Sequence, residues 1–154
     1  METLEKKQVK KDVLIKSLNE FLADMQIFYQ NLRGFHWNIK GSQFFVLHEK
    51  FEEYYTNAAD QVDEIAERIL AIGGEPLHSF TDYLAVATLT EVKNVSDGRK
   101  AVGHIIEQSS ALLEKMKKIQ QEAADQNDEG TDSMFSDMIG ETEKKLWMLH
   151  SFLS

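Results

Sequence analysis

The chain has 154 residues, a hydrophobic fraction of 42%, a charged fraction of 28% and a formal net charge of -9. That length suits one domain with a full core, and the acidic balance argues against a general nucleic-acid-binding surface while suiting cations. Zero cysteines exclude disulfides, thiolate catalysis, zinc fingers and iron–sulfur clusters, so any metal must be held by His, Asp and Glu. No apolar run reaches the roughly 18 residues of a membrane span. The opening METLEKKQVKKD lacks the apolar stretch of a secretory signal. A cytoplasmic location is the default expectation.

Residues 1–12 carry Lys6, Lys7, Lys10 and Lys11 against Glu2, Glu5 and Asp12, and read as a flexible tail. The first helical segment follows, with Leu14, Leu18, Phe21, Met25, Phe28, Leu32 and Phe35 at alternating four- and three-residue steps. The second carries Phe51, Ala58, Val62, Ile65, Ile69 and Ile72, with Ser42 as its expected N-cap after Gly41. Gly73–Gly74 and the single proline, Pro76, mark the one strong break. Residues 75–95 are irregular, with a short helix expected around Asp82 to Ala87. A third long segment shows Val102, Ile105, Ser109, Leu112, Met116 and Ile119, with Ser96 as expected cap. The fourth shows Phe135, Met138, Leu146, Leu149 and Leu153, with Thr131 as expected cap and with Trp147 and Met148 assigned to the core. Four long amphipathic helices with one long middle connection predict an all-α, ferritin-like four-helix bundle as a single domain. A short extra helix lies in that connection, and the two long helices flanking it run parallel.

Candidate metal ligands cluster on the second segment. His48, Glu52, Asp63 and Glu67 project within roughly 100° of arc on one helix, about 120° from the core stripe. His36 reaches the same face from the end of the first segment. Yet His48 and Asp63 are about 22 Å apart along the helix, so one ion cannot span them. Two copies packed antiparallel about a two-fold axis would bring the His48 end of one beside the Asp63 end of the other. The small residues Ala58 and Ala59 sit at the midpoint, where two backbones could approach. Imidazole and oxygen ligands favour iron, manganese or zinc. Other candidates are weaker. His104 and Glu107 lack a partner pair, and Glu75-Pro-Leu-His78 spells a di-iron motif in a turn. His150 reads as surface. No phosphate-binding Gly-rich loop or nucleophile elbow is present.

Phe35-His36-Trp37-Asn38-Ile39-Lys40-Gly41, then Phe44-Phe45-Val46-Leu47-His48-Glu49, then Asp60-Gln61-Val62-Asp63-Glu64-Ile65-Ala66-Glu67-Arg68 and Leu70-Ala71-Ile72-Gly73-Gly74, resemble the Dps-type mini-ferritins, the family of DNA-binding proteins from starved cells. The resemblance runs over nearly the whole chain. It implies a hollow shell of twelve subunits, a homododecamer, with ferroxidase sites at its two-fold interfaces. It makes His36 and His48 of one subunit, and Asp63 and Glu67 of its neighbour, the iron ligands. Glu52 falls where the family usually has Asp, which keeps the carboxylate and adds a methylene. Trp37 matches a tryptophan beside the site that takes up oxidising equivalents. Fe(II) is then the substrate, hydrogen peroxide the preferred oxidant, and Fe(III) the stored product, so the protein limits oxidative damage. Acidic residues near the start of the last helix would form the iron access route: Asp125, Asp128, Glu129 and, above all, Asp132. DNA is the family's other partner. A lysine tail on every subunit would contact phosphates multivalently, whereas the charge of -9 per subunit opposes it. The competing expectations are a DNA-condensing shell with little ferroxidase activity, and a helical interaction module without metal.

Overall fold

The computed structural model describes residues 1–154 and contains five helices: α1 (Leu4–Asn38), α2 (Phe44–Ala71), α3 (Phe80–Val86), α4 (Gly98–Asp125) and α5 (Glu129–Leu153). The expected bundle is present. α1 packs on α2, α4 packs on α5, and α1 joins the two pairs by packing on α4. Every apolar position expected of α1, from Leu14 to Phe35, is buried. So are Phe51, Ala58, Ile65 and Ile69 of α2, and Val102, Ile105, Ser109, Leu112, Met116 and Ile119 of α4. Phe21 meets Phe135 edge-on at 5.3 Å, which ties α1 to α5 across the core.

The connection between α2 and α4 crosses the whole length of the bundle. At its far end the Lys40 amide donates to Ser96 O at 2.8 Å, so the start of α4 lies beside the α1–α2 turn. α2 and α4 therefore begin at the same end and run parallel. At the opposite end, Gln126 donates to Lys10 O at 3.1 Å. There Arg68 near the end of α2 reaches Asp128 at 2.7 Å and Thr131 Oγ1 at 3.0 Å in the α4–α5 corner.

Polar residues of α1 hold this strap against the bundle. Asn19 donates to Glu75 O at 3.0 Å and accepts from the Leu77 amide at 2.9 Å. Asp24 is fully buried and accepts from the Thr88 amide (2.6 Å), the Leu89 amide (2.9 Å) and the Thr88 hydroxyl (3.0 Å), and it pairs with Lys115 of α4. Asn31 donates to Thr90 O and Gln108, both at 3.0 Å, and accepts from the Val92 amide at 2.9 Å. A segment without secondary structure must place its backbone donors somewhere, and here α1 supplies the acceptors.

The helix boundaries differ from expectation in an instructive way. Ser42 does not cap α2; Gln43 occupies that position with no side-chain bond. The cap of α4 is Asp97, one residue after Ser96, and it accepts from the Lys100 amide at 2.9 Å. The cap of α5 is Asp128, not Thr131; the Thr131 amide and hydroxyl both donate to it, at 3.0 and 2.6 Å. In each acidic case a carboxylate, with more acceptor capacity than a hydroxyl, takes the cap. α3 starts at Phe80 rather than Asp82, because Ser79 accepts from the Asp82 amide. Residues 4–12, expected as a tail, form the exposed first turns of α1, capped by Thr3. Trp147 and Met148 are not core: they are 66% and 43% exposed. The buried stripe of α5 passes through Phe135, Met138, Thr142 and Leu149. At ~100° per residue, positions 147 and 148 fall on other faces.

Two predictions follow from these contacts. Replacing Asp24 by Ala leaves two strap amides and Lys115 without their acceptor, and should cost about 3 kcal/mol. Denaturant unfolding would measure the cost, and faster amide exchange at Thr88 and Leu89 would locate it. Asp128 is the second case. Desolvation, the largest single influence, pushes its carboxyl up, but the bonds from Thr131 and Arg68 together outweigh it and hold the group below the ordinary carboxylate range. Its stabilising effect is complete above the unfolded carboxyl value and disappears as pH falls through the lower folded one. Asp128→Asn should therefore lower the melting temperature at neutral pH and flatten its fall below about pH 4, as read by thermal unfolding across a pH series.

Candidate metal centre

The turn between α1 and α2 is short, and Gly41 at φ +106° lets the chain reverse there without a Cβ clash. It brings His36, in the last turn of α1, against His48, in the second turn of α2. Each imidazole bonds to the other residue's backbone. His36 Nδ1 donates to His48 O at 2.6 Å, and His48 Nδ1 donates to His36 O at 2.7 Å. The carbonyl of His36 is among the last of its helix and lacks an intrahelical partner, so His48 also caps α1. A carbonyl can only accept, so both Nδ1 atoms carry hydrogen. In the neutral ring each Nε2 then keeps its lone pair. The pair is fixed in the tautomer a metal ion requires.

The rings are stacked at 3.8 Å and 12°. Phe44, one turn before His48, stacks on the other face of that ring at 4.8 Å. Tyr55 closes the opposite side, edge-on to His36 at 5.3 Å. Its hydroxyl donates to Glu52 at 3.3 Å, which links that carboxylate to the stack through Tyr55. Burial, then the Glu52 charge, pushes the Tyr55 hydroxyl up, so it stays protonated and keeps donating. Behind Tyr55, the Arg33 guanidinium lies over three rings: Trp37 (4.9 Å), Tyr55 (5.4 Å) and Tyr29 (5.6 Å). Trp37 is thus not part of the imidazole stack. It is half exposed, and within one chain it connects to the stack through Arg33 and Tyr55.

The acidic half behaves differently. Asp63 and Glu67 are exposed. Arg68 beside them turns away to Asp128. No group of three or more His, Asp or Glu able to hold a cation forms within one chain. The structure thus brings together His36 and His48, joins Glu52 to them only through Tyr55, and leaves Asp63 and Glu67 exposed. Ala58 does not lie open for a backbone approach; it is 1% exposed and belongs to the chain's own core, whereas Ala59 is exposed.

The remaining candidates have other duties. His104 stacks on Phe35 at 6.0 Å. His78 donates to Pro76 O in the turn at 3.0 Å, and His150 is exposed. Of the acidic residues near the start of α5, Asp128 is engaged by Arg68, Asp125 accepts from Gln121 at 2.8 Å, Asp132 accepts from Gln120 at 3.1 Å, and Glu129 is exposed. Sequence reasoning missed Phe44 and Arg33 as parts of the centre. Their spacing was available, since each lies one helical turn from a histidine or Trp37.

A ferritin-like domain family model matches residues 15–154. The DNA protection during starvation protein 2 of Bacillus anthracis is 40% identical over 141 residues, covering 92% of this chain and 97% of that one. The Dps protein of Vibrio cholerae, described as a member of a broad superfamily of ferritin-like diiron-carboxylate proteins, superposes with a TM-score of 0.93 at 43% identity, covering 95% of this chain and 92% of its own. The Dps protein of Bacillus brevis superposes with a TM-score of 0.92 at 33% identity over 100% of both chains. With the bundle, its long crossover and matches of this extent, the chain belongs to the ferritin-like family and, within it, to the Dps proteins.

Proposed function

We propose that this protein is a ferroxidase and iron store that oxidises Fe(II), preferably with hydrogen peroxide, at sites shared between two subunits of a dodecameric shell. The observation that carries this reading is the reciprocal imidazole–carbonyl pair, which stacks the two rings at 3.8 Å and leaves each Nε2 its lone pair. His36, His48 and Glu52 of one subunit would be joined by Asp63 and Glu67 of a neighbour. The exposed position of that acidic pair supports a partner supplying the rest of the site. Fe(II) is the substrate. Carboxylates stabilise Fe(III) more than Fe(II), because the higher charge gains more from anionic oxygen, so the donor set favours oxidation. Two Fe(II) giving one electron each reduce one peroxide to water without releasing hydroxyl radical. Trp37, linked through Arg33 and Tyr55, would absorb a stray oxidising equivalent. Acidic side chains around the start of α5, Asp132 foremost, would raise the local concentration of cations. The stored Fe(III) and consumed peroxide would protect a cytoplasm under oxidative stress.

A second reading, a DNA-condensing shell, draws on the exposed Lys6 and Lys7 in the first turns of α1. Against it, Lys10 is paired with Glu2 at 2.7 Å in the same segment. A salt-titrated gel shift with and without residues 1–12 separates the two readings.

Subunit mixing tests the shared site directly. A His36→Ala, His48→Ala chain and an Asp63→Ala, Glu67→Ala chain should each assemble and be inactive. Co-assembled in equal amounts, half the two-fold pairs are mixed, and each mixed pair rebuilds one site of two. Peroxide-driven Fe(II) oxidation, followed optically, should recover to about one quarter of the unmodified protein. No recovery would remove the shared-site assignment, and size-exclusion chromatography checks the shell. Because protons compete with the cation for both Nε2 atoms and the carboxylates, Fe(II) affinity should fall steadily as the solution is acidified. Titration of Fe(II) binding without oxygen would measure this.

A further inference from the structure

Lys145 of α5 is held unlike the lysines that have ionic partners. Lys10, Lys50, Lys115 and Lys118 each lie within 4.0 Å of a carboxylate, and Lys145 does not. Its Nζ instead sits 4.9 Å from the centre of the Phe28 ring and 5.7 Å from that of Tyr54. The side chain is half-buried and opens onto a cavity of about 280 Å³ between α2 and α5. The titratable groups facing that cavity are Glu53 and Tyr54 from α2 and Glu141 from α5; the Phe28 ring of α1 lies against Lys145 Nζ outside the cavity lining. Glu53 is occupied by Lys50 at 2.8 Å. Burial pushes the Lys145 ammonium down to about 8, with Glu141 acting in the opposite sense. Tyr54 is pushed up to about 12, first by its own burial, so it stays neutral and offers no counter-charge. The ring faces favour the cation, in the same sense as Glu141 and against the effect of burial.

We propose that Lys145 is a nucleophilic amine that captures small aldehydes in this largely polar cavity. The amine lone pair attacks the carbonyl carbon. The resulting carbinolamine loses water, so the C=O bond is replaced by C=N, and the oxygen leaves with the two hydrogens of the amine. A lysine relieved of its charge by desolvation is the usual form of a Schiff-base lysine. This inference does not rest on the metal site.

The test is competitive labelling of the intact assembly with limiting formaldehyde and cyanoborohydride, read lysine by lysine by peptide mass spectrometry. Near pH 7, Lys145 should be methylated roughly tenfold faster than the exposed Lys16 and Lys144. At about pH 9.5 the lead should shrink toward parity, because the exposed lysines then also lose protons. Gln61→Glu puts a carboxylate on the cavity wall and should abolish the lead near pH 7. Lys145 reacting no faster than Lys16 near pH 7, or an undiminished lead in Gln61→Glu, would overturn the proposal.

Discussion

The carbonyl oxygens of His36 and His48 accept hydrogen bonds and cannot donate them, and from that asymmetry much of the centre's order descends. Each oxygen is met by the other residue's Nδ1. The same two bonds therefore close the α1–α2 turn, satisfy a helix end and choose the tautomer of both rings. No further side chain is needed to orient either imidazole. The turn is in turn clamped from outside. Lys40 bonds the end of the strap, and Gly98 at the start of α4 is so close to Leu47 that a Cβ there would lie 2.5 Å from its side chain. The register of α4 against α2 is thus coupled to the residue next to His48.

α1 performs two tasks that usually conflict. One face fills the core with leucine and phenylalanine, while Asn19, Asp24 and Asn31 bind the backbone of the strap. A fully buried carboxylate such as Asp24 is costly to desolvate. It persists here because two amides, a hydroxyl and the Lys115 ammonium surround it. Its partners lie more than sixty residues away in sequence, which gives the strap one specific path. Buried polar groups of this kind choose among arrangements that apolar packing alone would leave similar in energy.

The bundle was legible in the sequence because its core positions repeat at helical spacing for many turns. Leu14 through Phe35 and Val102 through Ile119 needed only periodicity. Caps were less legible, since Ser96 and Asp97 are adjacent and both suit the position, and only the observed turn decides between them. Trp147 and Met148 were misplaced by residue type; large apolar side chains invite burial, yet the stripe through Met138, Thr142 and Leu149 excludes them. At the candidate centre, helical rise alone sets His48 and Asp63 about 22 Å apart on α2, so their separation within one chain needs nothing beyond the spacing. The i,i+4 steps from Phe44 to His48 and from Arg33 to Trp37 were there to be read, whereas the reciprocal bonds and the reach of Arg33 to Tyr55 were not legible, because they depend on the angle at which two helices leave a turn.

Trp37 and Trp147, the only two indoles in the chain, both lie at its surface, at 54% and 66% exposure. The hydrophobic interior holds none. Intrinsic emission from this protein therefore reports on what covers its outside. A blue shift would signal that one of these indoles has been covered, and emission that is already red in the folded chain would change little when the bundle itself is lost.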